Sequence, residues 1–150
     1  MTPSAPGAPP PSPRRLSLVV TNERREVGRL MERFEETARE WGLSEDDTVN
    51  LNLILDEFVS NVIRHGFEDG RPHEIPVHVE LAGDVVRIRI EDDGKPFNPL
   101  ESPPPDLDLP IEERPLGGLG IFIARSLADT VEYSREHERN VLTITKRLTA

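Results

Sequence analysis

"EFVSNVIRHG", residues 57–66, places a carboxylate, an amide and an imidazole, Glu57, Asn61 and His65, at successive steps of four. Residues four apart on a helix stand one above another, so the three share a face. On a helical wheel, Leu51, Leu55, Phe58, Val59, Val62 and Ile63 fill one continuous arc. Asn50, Glu57, Asn61, Arg64 and His65 cluster opposite. The apolar arc belongs to a core. The polar face fits either a solvated helix surface or one wall of a site for a charged ligand, and the helix alone leaves both open.

The helix has its own boundaries. Ser44 followed by Asp47 gives the start and Gly66 the stop. Upstream, "RRLSLVV" alternates Leu16, Leu18 and Val20 as a strand does, and Thr21 or Asn22 offers a cap for a first helix. That helix runs to about Trp41, with Val27, Leu30, Met31, Phe34 and Ala38 recurring at three and four and Gly42 ending it. Six prolines within residues 1–13, with almost nothing large and apolar beside them, mark a disordered or polyproline-like tail ahead of one domain spanning 14–150.

Downstream, "IPVHVELAGDVVRIRIED" forms two alternating runs around Gly83 and Asp84, a hairpin with a tight turn. Residues 95–116 hold seven prolines and little periodicity, which suits a lid better than an ordinary connection. "GGLGIFIARSLAD" reads as a glycine turn opening a short apolar helix, and "TVEYSRE" with "RNVLTITKRL" closes the chain as a second hairpin.

Composition removes several classes of function. A net charge of −10 opposes binding to nucleic acid or an anionic membrane. Without cysteine there is no disulfide framework, and four scattered histidines supply no structural zinc site. No apolar run suits a signal peptide or a membrane span, so the expected location is the cytoplasm.

Two further motifs join the helix. "EDDGKPFNP", residues 91–99, leaves a strand with Asp92 two residues before Gly94. "GGLG", residues 117–120, opens a helix where free amides and the helix dipole favour phosphate, although a hinge has the same composition. In this order, Glu-x-x-x-Asn on a helix, Asp-x-Gly after a strand, a Pro-rich loop and a glycine-opened helix resemble the GHKL ATPase superfamily and its Bergerat nucleotide-binding fold, across roughly residues 14–148. "EFVSNVIRHGF", "DDGKPFNP" and "GGLGIFIAR" look most like the anti-sigma-factor serine/threonine kinases of bacterial partner-switching systems.

The resemblance implies a two-layer α/β sandwich, a mixed and mainly antiparallel sheet with about three helices on one face. It implies ATP and Mg²⁺ as cofactors, with Glu57 as catalytic base, Asn61 as Mg²⁺ ligand, Asp92 with Gly94 recognising adenine, and Gly118, Leu119 and Gly120 meeting phosphates. It also implies a STAS-domain anti-anti-sigma protein as substrate, a sigma factor as second partner, and a homodimer. Two positions depart from the pattern: Pro96 where a glycine is common, and Asn98 where an aspartate is common. His65 shapes the helix end in this reading, and Arg114 reads by default as a solvated arginine, with contact to a γ-phosphate from the lid as the alternative. A non-catalytic ATP- or ADP-binding module that sequesters a partner, and a detached histidine-kinase catalytic domain, are the alternatives.

Overall fold

The computed structural model describes residues 12–101, 108 and 118–149. Most of the Pro-rich tail, Arg114 and Gly117, and the loop from 102 to 107 and 109 to 116, lie outside the described residues. The elements run β1 (Arg14–Thr21), α1 (Arg25–Glu40), α2 (Glu45–His65), β2 (Glu74–Ala82), β3 (Val85–Asp92), α3 (Gly118–Leu127), β4 (Thr130–Glu136) and β5 (Arg139–Arg147). The strands form one sheet in the order β1-β2-β3-β5-β4. Each of the four described pairings is antiparallel.

Period-two alternation decides which way the sheet faces. Leu16 and Val20 of β1, Ile75, Val77 and Val79 of β2, Val86, Ile88 and Ile90 of β3, and Leu142 and Ile144 of β5 are buried on one side. The helices cover that side and share its core through Leu30 and Phe34 of α1, Leu51, Leu55 and Phe58 of α2, and Ile121 and Ala124 of α3. The other face carries paired polar groups: Arg15 with Glu80 at 2.9 Å, Arg89 with Glu91 at 2.7 Å, and Ser17 with His78 at 2.9 Å. This is the chemistry of a sheet face that meets water.

The helix ends follow local rules with one exception. Ser44 Oγ accepts the Asp47 amide at 3.1 Å, the cap expected for α2. The Asp47 carboxylate is 1% exposed and accepts the Thr149 amide at 3.1 Å and its hydroxyl at 2.9 Å. After α1, Gly42 takes φ 74°, the left-handed conformation that ends helices. Neither Thr21 nor Asn22 caps α1, whose N-cap is Arg24 with no side-chain hydrogen bond. Thr21 pairs with Glu74 in the sheet, while Asn22 donates to the Arg71 carbonyl at 3.1 Å and accepts the His73 amide at 3.0 Å. A side chain tied to a distant segment has no group left for the helix.

The β2–β3 turn places Gly83 at φ 62° as expected, but the β4–β5 turn uses His137 and Glu138 at φ 50° and 64° without a glycine. Lys146 is 9% exposed and donates to the Leu127 carbonyl at 2.9 Å, capping the negative end of α3 with a cation. Among the described residues, no helix is long and apolar enough to cross a membrane.

Leu55 is fully buried between helices and sheet, so Leu55→Ala should cost about 2–5 kcal/mol through lost transfer energy and a residual cavity. Urea unfolding should show this as a lower midpoint with an unchanged slope.

Candidate nucleotide-binding site

The site is built where the end of α2 meets the end of β3. Gly66 closes α2, and its carbonyl accepts the Lys95 amide at 2.9 Å. Gly94 lies so close that an added Cβ would fall 2.3 Å from the Gly66 oxygen. Only a residue without a side chain fits, and the tight contact rather than a left-handed backbone is the reason. Arg135 of β4 donates to the Gly94 carbonyl at 2.8 Å and fixes the turn from its other side.

Asp92, 3% exposed, ends β3 beside this junction. Its Oδ1 accepts the Gly94 amide at 2.9 Å and Asn140 Nδ2 at 2.9 Å. Its Oδ2 accepts no hydrogen bond from a described residue. Burial pushes the Asp92 carboxyl above the ordinary range, the hydrogen bonds from Asn140 and Gly94 pull against it, the Asp93 charge adds to the rise and Arg135 opposes it.

Asn140 escaped the sequence reading. It stands opposite Asp92 in the β3–β5 register and is 6% exposed. Its amide nitrogen donates to Asp92 and to the Lys95 carbonyl at 2.8 Å. Its oxygen accepts the Tyr133 hydroxyl at 2.5 Å and the Phe97 amide at 3.3 Å. Four partners on one buried carboxamide leave it no freedom to turn. A sequence signal did exist: Asn140, Leu142, Ile144 and Lys146 share the inward parity of β5, and a polar residue heads an apolar series.

Asn61, Asp92, Gly66, Phe97, Tyr133 and Asn140 line a cleft of about 350 Å³, its solvent mouth included, floored by Phe58, Ile90 and Leu142. Asn61 is 6% exposed, and its carboxamide has no partner among the described residues. Phe97 stacks on His65 with ring centroids 5.0 Å apart and planes at 20°. Loss of solvation lowers the His65 pKa, and Arg64 and Lys95 lower it further. His65 is the last residue of α2, directly before the Gly66 cap. Asn98, where an aspartate was common, accepts the Leu100 amide at 2.9 Å and starts the short 3-10 turn Pro99–Glu101.

One turn before Asn61, α2 presents Glu57 to the first turn of α3. Gly120 rests on the Glu57 carboxylate: a Cβ there would lie 1.9 Å from Oε2. Loss of solvation raises the Glu57 pKa, Asp56 adds to it and Arg64 opposes it. Gly118 begins α3, and Leu119 beside it is 38% exposed. The expected residues therefore form two adjoining groups on one side of α2: Asn61, Asp92 and Gly94 at the hydrogen-bonded end, and Glu57 with the opening of α3 at the other.

The family described as Histidine kinase-like ATPase domain matches residues 20–146, which include both groups. The chain belongs to that family. Its GHKL-type fold, with a five-stranded sheet and three described helices, is the expected α/β histidine-kinase-like ATPase architecture. Among curated relatives, the chain is 28% identical over 109 residues to "Serine-protein kinase RsbW" of Bacillus mycoides, covering 70% of this chain and 68% of that protein. It is 28% identical over 95 residues to "Serine/threonine-protein kinase BtrW" of Bordetella bronchiseptica, covering 63% and 67%.

Solved structures agree on the fold. The RsbU and RsbW domains of Rv1364c from Mycobacterium tuberculosis superpose with a TM-score of 0.65 at 18% identity, over 90% of this chain. The chain spans about a third, 32%, of that structure. The catalytic domain of histidine kinase ThkA superposes with a TM-score of 0.50 at 18% identity, over 90% of this chain and 97% of that one.

Buried Asp92 makes a test at this histidine kinase-like site. Its carboxyl is raised in the folded state, so its contribution to stability is full below the ordinary value of 3.8 and is lost as pH rises through the raised one. At neutral pH the fold therefore bears the burial of a carboxylate. Asp92→Asn can retain both hydrogen bonds to Oδ1 without that charge. It should raise the urea midpoint at neutral pH, with the gain shrinking as pH falls below the wild-type titration.

Proposed function

We propose that this histidine kinase-like domain binds ATP with Mg²⁺ and transfers the γ-phosphoryl group to a serine or threonine of a STAS-domain anti-anti-sigma protein. It would act as an anti-sigma-factor-like kinase, with a sigma factor as second partner and a homodimer as its assembly. The observation that carries the nucleotide reading is the pairing across the cleft. Among the described residues, Asp92 Oδ1 accepts Asn140 and Gly94 while Oδ2 has no partner, and the Asn61 carboxamide has none. Polar groups that line a cleft without a described protein partner fit a ligand that supplies donors and charge. The relatives named as serine and serine/threonine kinases support the direction of transfer.

In this reading the free Asp92 oxygen accepts the adenine amino group and thereby rejects guanine. The Asn61 carboxamide oxygen suits a hard cation, which takes oxygen ligands. Bound Mg²⁺ neutralises charge developing on the phosphates. The amides at Gly118, Leu119 and Gly120 face phosphate from a helix N-terminus. Glu57, with its proton affinity raised by loss of solvation, accepts the proton of the attacking hydroxyl.

One observation favours the second reading, a binding module without transfer activity. The first turn of α3 lies against the Glu57 carboxylate at Gly120, which narrows the approach of a hydroxyl from that side.

Radiolabelled γ-ATP with a panel of STAS proteins decides between them. Glu57→Gln should keep nucleotide affinity by calorimetry while transfer falls ~10²- to 10⁴-fold. Asn61→Ala should weaken Mg-ATP binding itself. Transfer at the wild-type rate by Glu57→Gln would remove the base, and equal affinity of the wild type for ATP and GTP would remove the assignment of Asp92.

A further inference from the structure

The loop from Gly66 to His73, between α2 and β2, holds a charged cluster that the nucleotide reading leaves unused. Both ring nitrogens of His73 are engaged. Nδ1 lies 2.9 Å from Asp93 Oδ1, and Nε2 lies 2.9 Å from both oxygens of Asp69. Ionised carboxylates accept hydrogen bonds and cannot donate them, so both contacts are satisfied only when the ring carries both protons. A neutral ring would turn a lone pair toward one carboxylate.

The imidazole is held in place from several elements. It stacks on Phe67 with centroids 4.4 Å apart, and its backbone exchanges hydrogen bonds with Asn22 from the β1–α1 connection. The charged groups about it are Asp69 and Arg71 from its own loop and Asp93 from the end of β3. Phe67 and Asn22 are neutral. The Asp69 hydrogen bond chiefly raises the imidazole pKa, and Asp93 adds to the rise against loss of solvation.

Asp93 lies between Asp92 and Gly94, in a turn held by the Lys95 amide on the Gly66 carbonyl at 2.9 Å and by Arg135 on the Gly94 carbonyl at 2.8 Å. We infer that His73, as an imidazolium bridging Asp69 and Asp93, is a positioning residue for the turn that presents Asp92 to the nucleotide, so that nucleotide affinity falls as pH rises through the His73 titration. This inference rests on the nucleotide reading above.

With the proton in place, one positive charge is shared between Asp93 and Asp69, and the turn is tied to the loop. Once the proton leaves, a ring lone pair and a carboxylate repel each other, and the strain falls on the turn that supplies the Gly94 amide to Asp92. The sign follows from the raised imidazole pKa: the tie is complete below the ordinary value of 6.5 and is lost above the folded-state value.

The test is ADP affinity in the presence of Mg²⁺, measured by calorimetry from about pH 6 to about pH 8.5, on wild type, His73→Gln and Asp93→Asn. ADP ionises identically in all three experiments, so differences between the profiles belong to the protein. Wild-type affinity should fall ~5-fold more than that of either variant across this range. The midpoint should coincide with the His73 titration read by NMR, and His73→Gln should stay near the weak, high-pH level of the wild type. If His73→Gln fails to fold, Asp93→Asn still decides. Profiles that superimpose, or a His73 pKa at or below its ordinary value, overturn the inference alone. No ADP binding at any pH overturns the nucleotide reading and this inference with it.

Discussion

The hydrogen bond from the Lys95 amide to the Gly66 carbonyl joins the two halves of the site. Gly66 ends the helix that carries Glu57 and Asn61, and Lys95 follows the strand that ends in Asp92. At a 2.9 Å separation the backbones touch, and Gly94 accordingly has no space for a Cβ beside the Gly66 oxygen, while a Cβ at Gly66 would meet the Val62 carbonyl of its own helix at 2.7 Å. The spacing of helix and strand is therefore set by main-chain contact, which varies less than side-chain packing does. The separation of Asn61 from Asp92 across the cleft inherits that constraint.

Order is unequally shared between the two ends of the cleft. Around Asp92, the groups of Asn140, Gly94, Lys95, Phe97, Tyr133 and Arg135 interlock through hydrogen bonds. Around Glu57 the described residues supply no such network, and α3 next to it leaves Leu119, Phe122 and Ile123 substantially exposed. Under the proposed kinase reading this is a preformed region for recognition beside a less constrained one for transfer, and recognition gains from rigidity while group transfer needs access.

Much of this was readable in the chain. The apolar arc of α2 named most of its buried side, the step of four put Glu57 and Asn61 on a shared face, although Asn61 is itself buried, and Gly83 marked the hairpin that delivers Asp92 to its end. What escaped depends on which segments meet. Asn140 looks like any polar residue after a turn until β5 pairs with β3 and sets it opposite Asp92, and strand alternation gives a face without giving a register. Asn22 failed as a cap for a similar reason: its partners, Arg71 and His73, are some fifty residues away, and no local rule reveals them. His73 is one histidine among four until the structure puts a carboxylate at each nitrogen.

The strand order also bears on how the molecule assembles. β2 with β3 and β4 with β5 are hairpins of neighbours in sequence, whereas β3 and β5 are joined across the Pro-rich loop and α3. Local hairpins close at little entropic cost, and the distant pairing must close a long loop before its contacts stabilise anything. Asp92 and Asn140 face each other in that distant pairing, 48 residues apart. The hydrogen-bonded end of the cleft consequently arises only with a non-local step of folding. A chain with both hairpins formed but unjoined would hold nearly all its secondary structure and have no cleft at all.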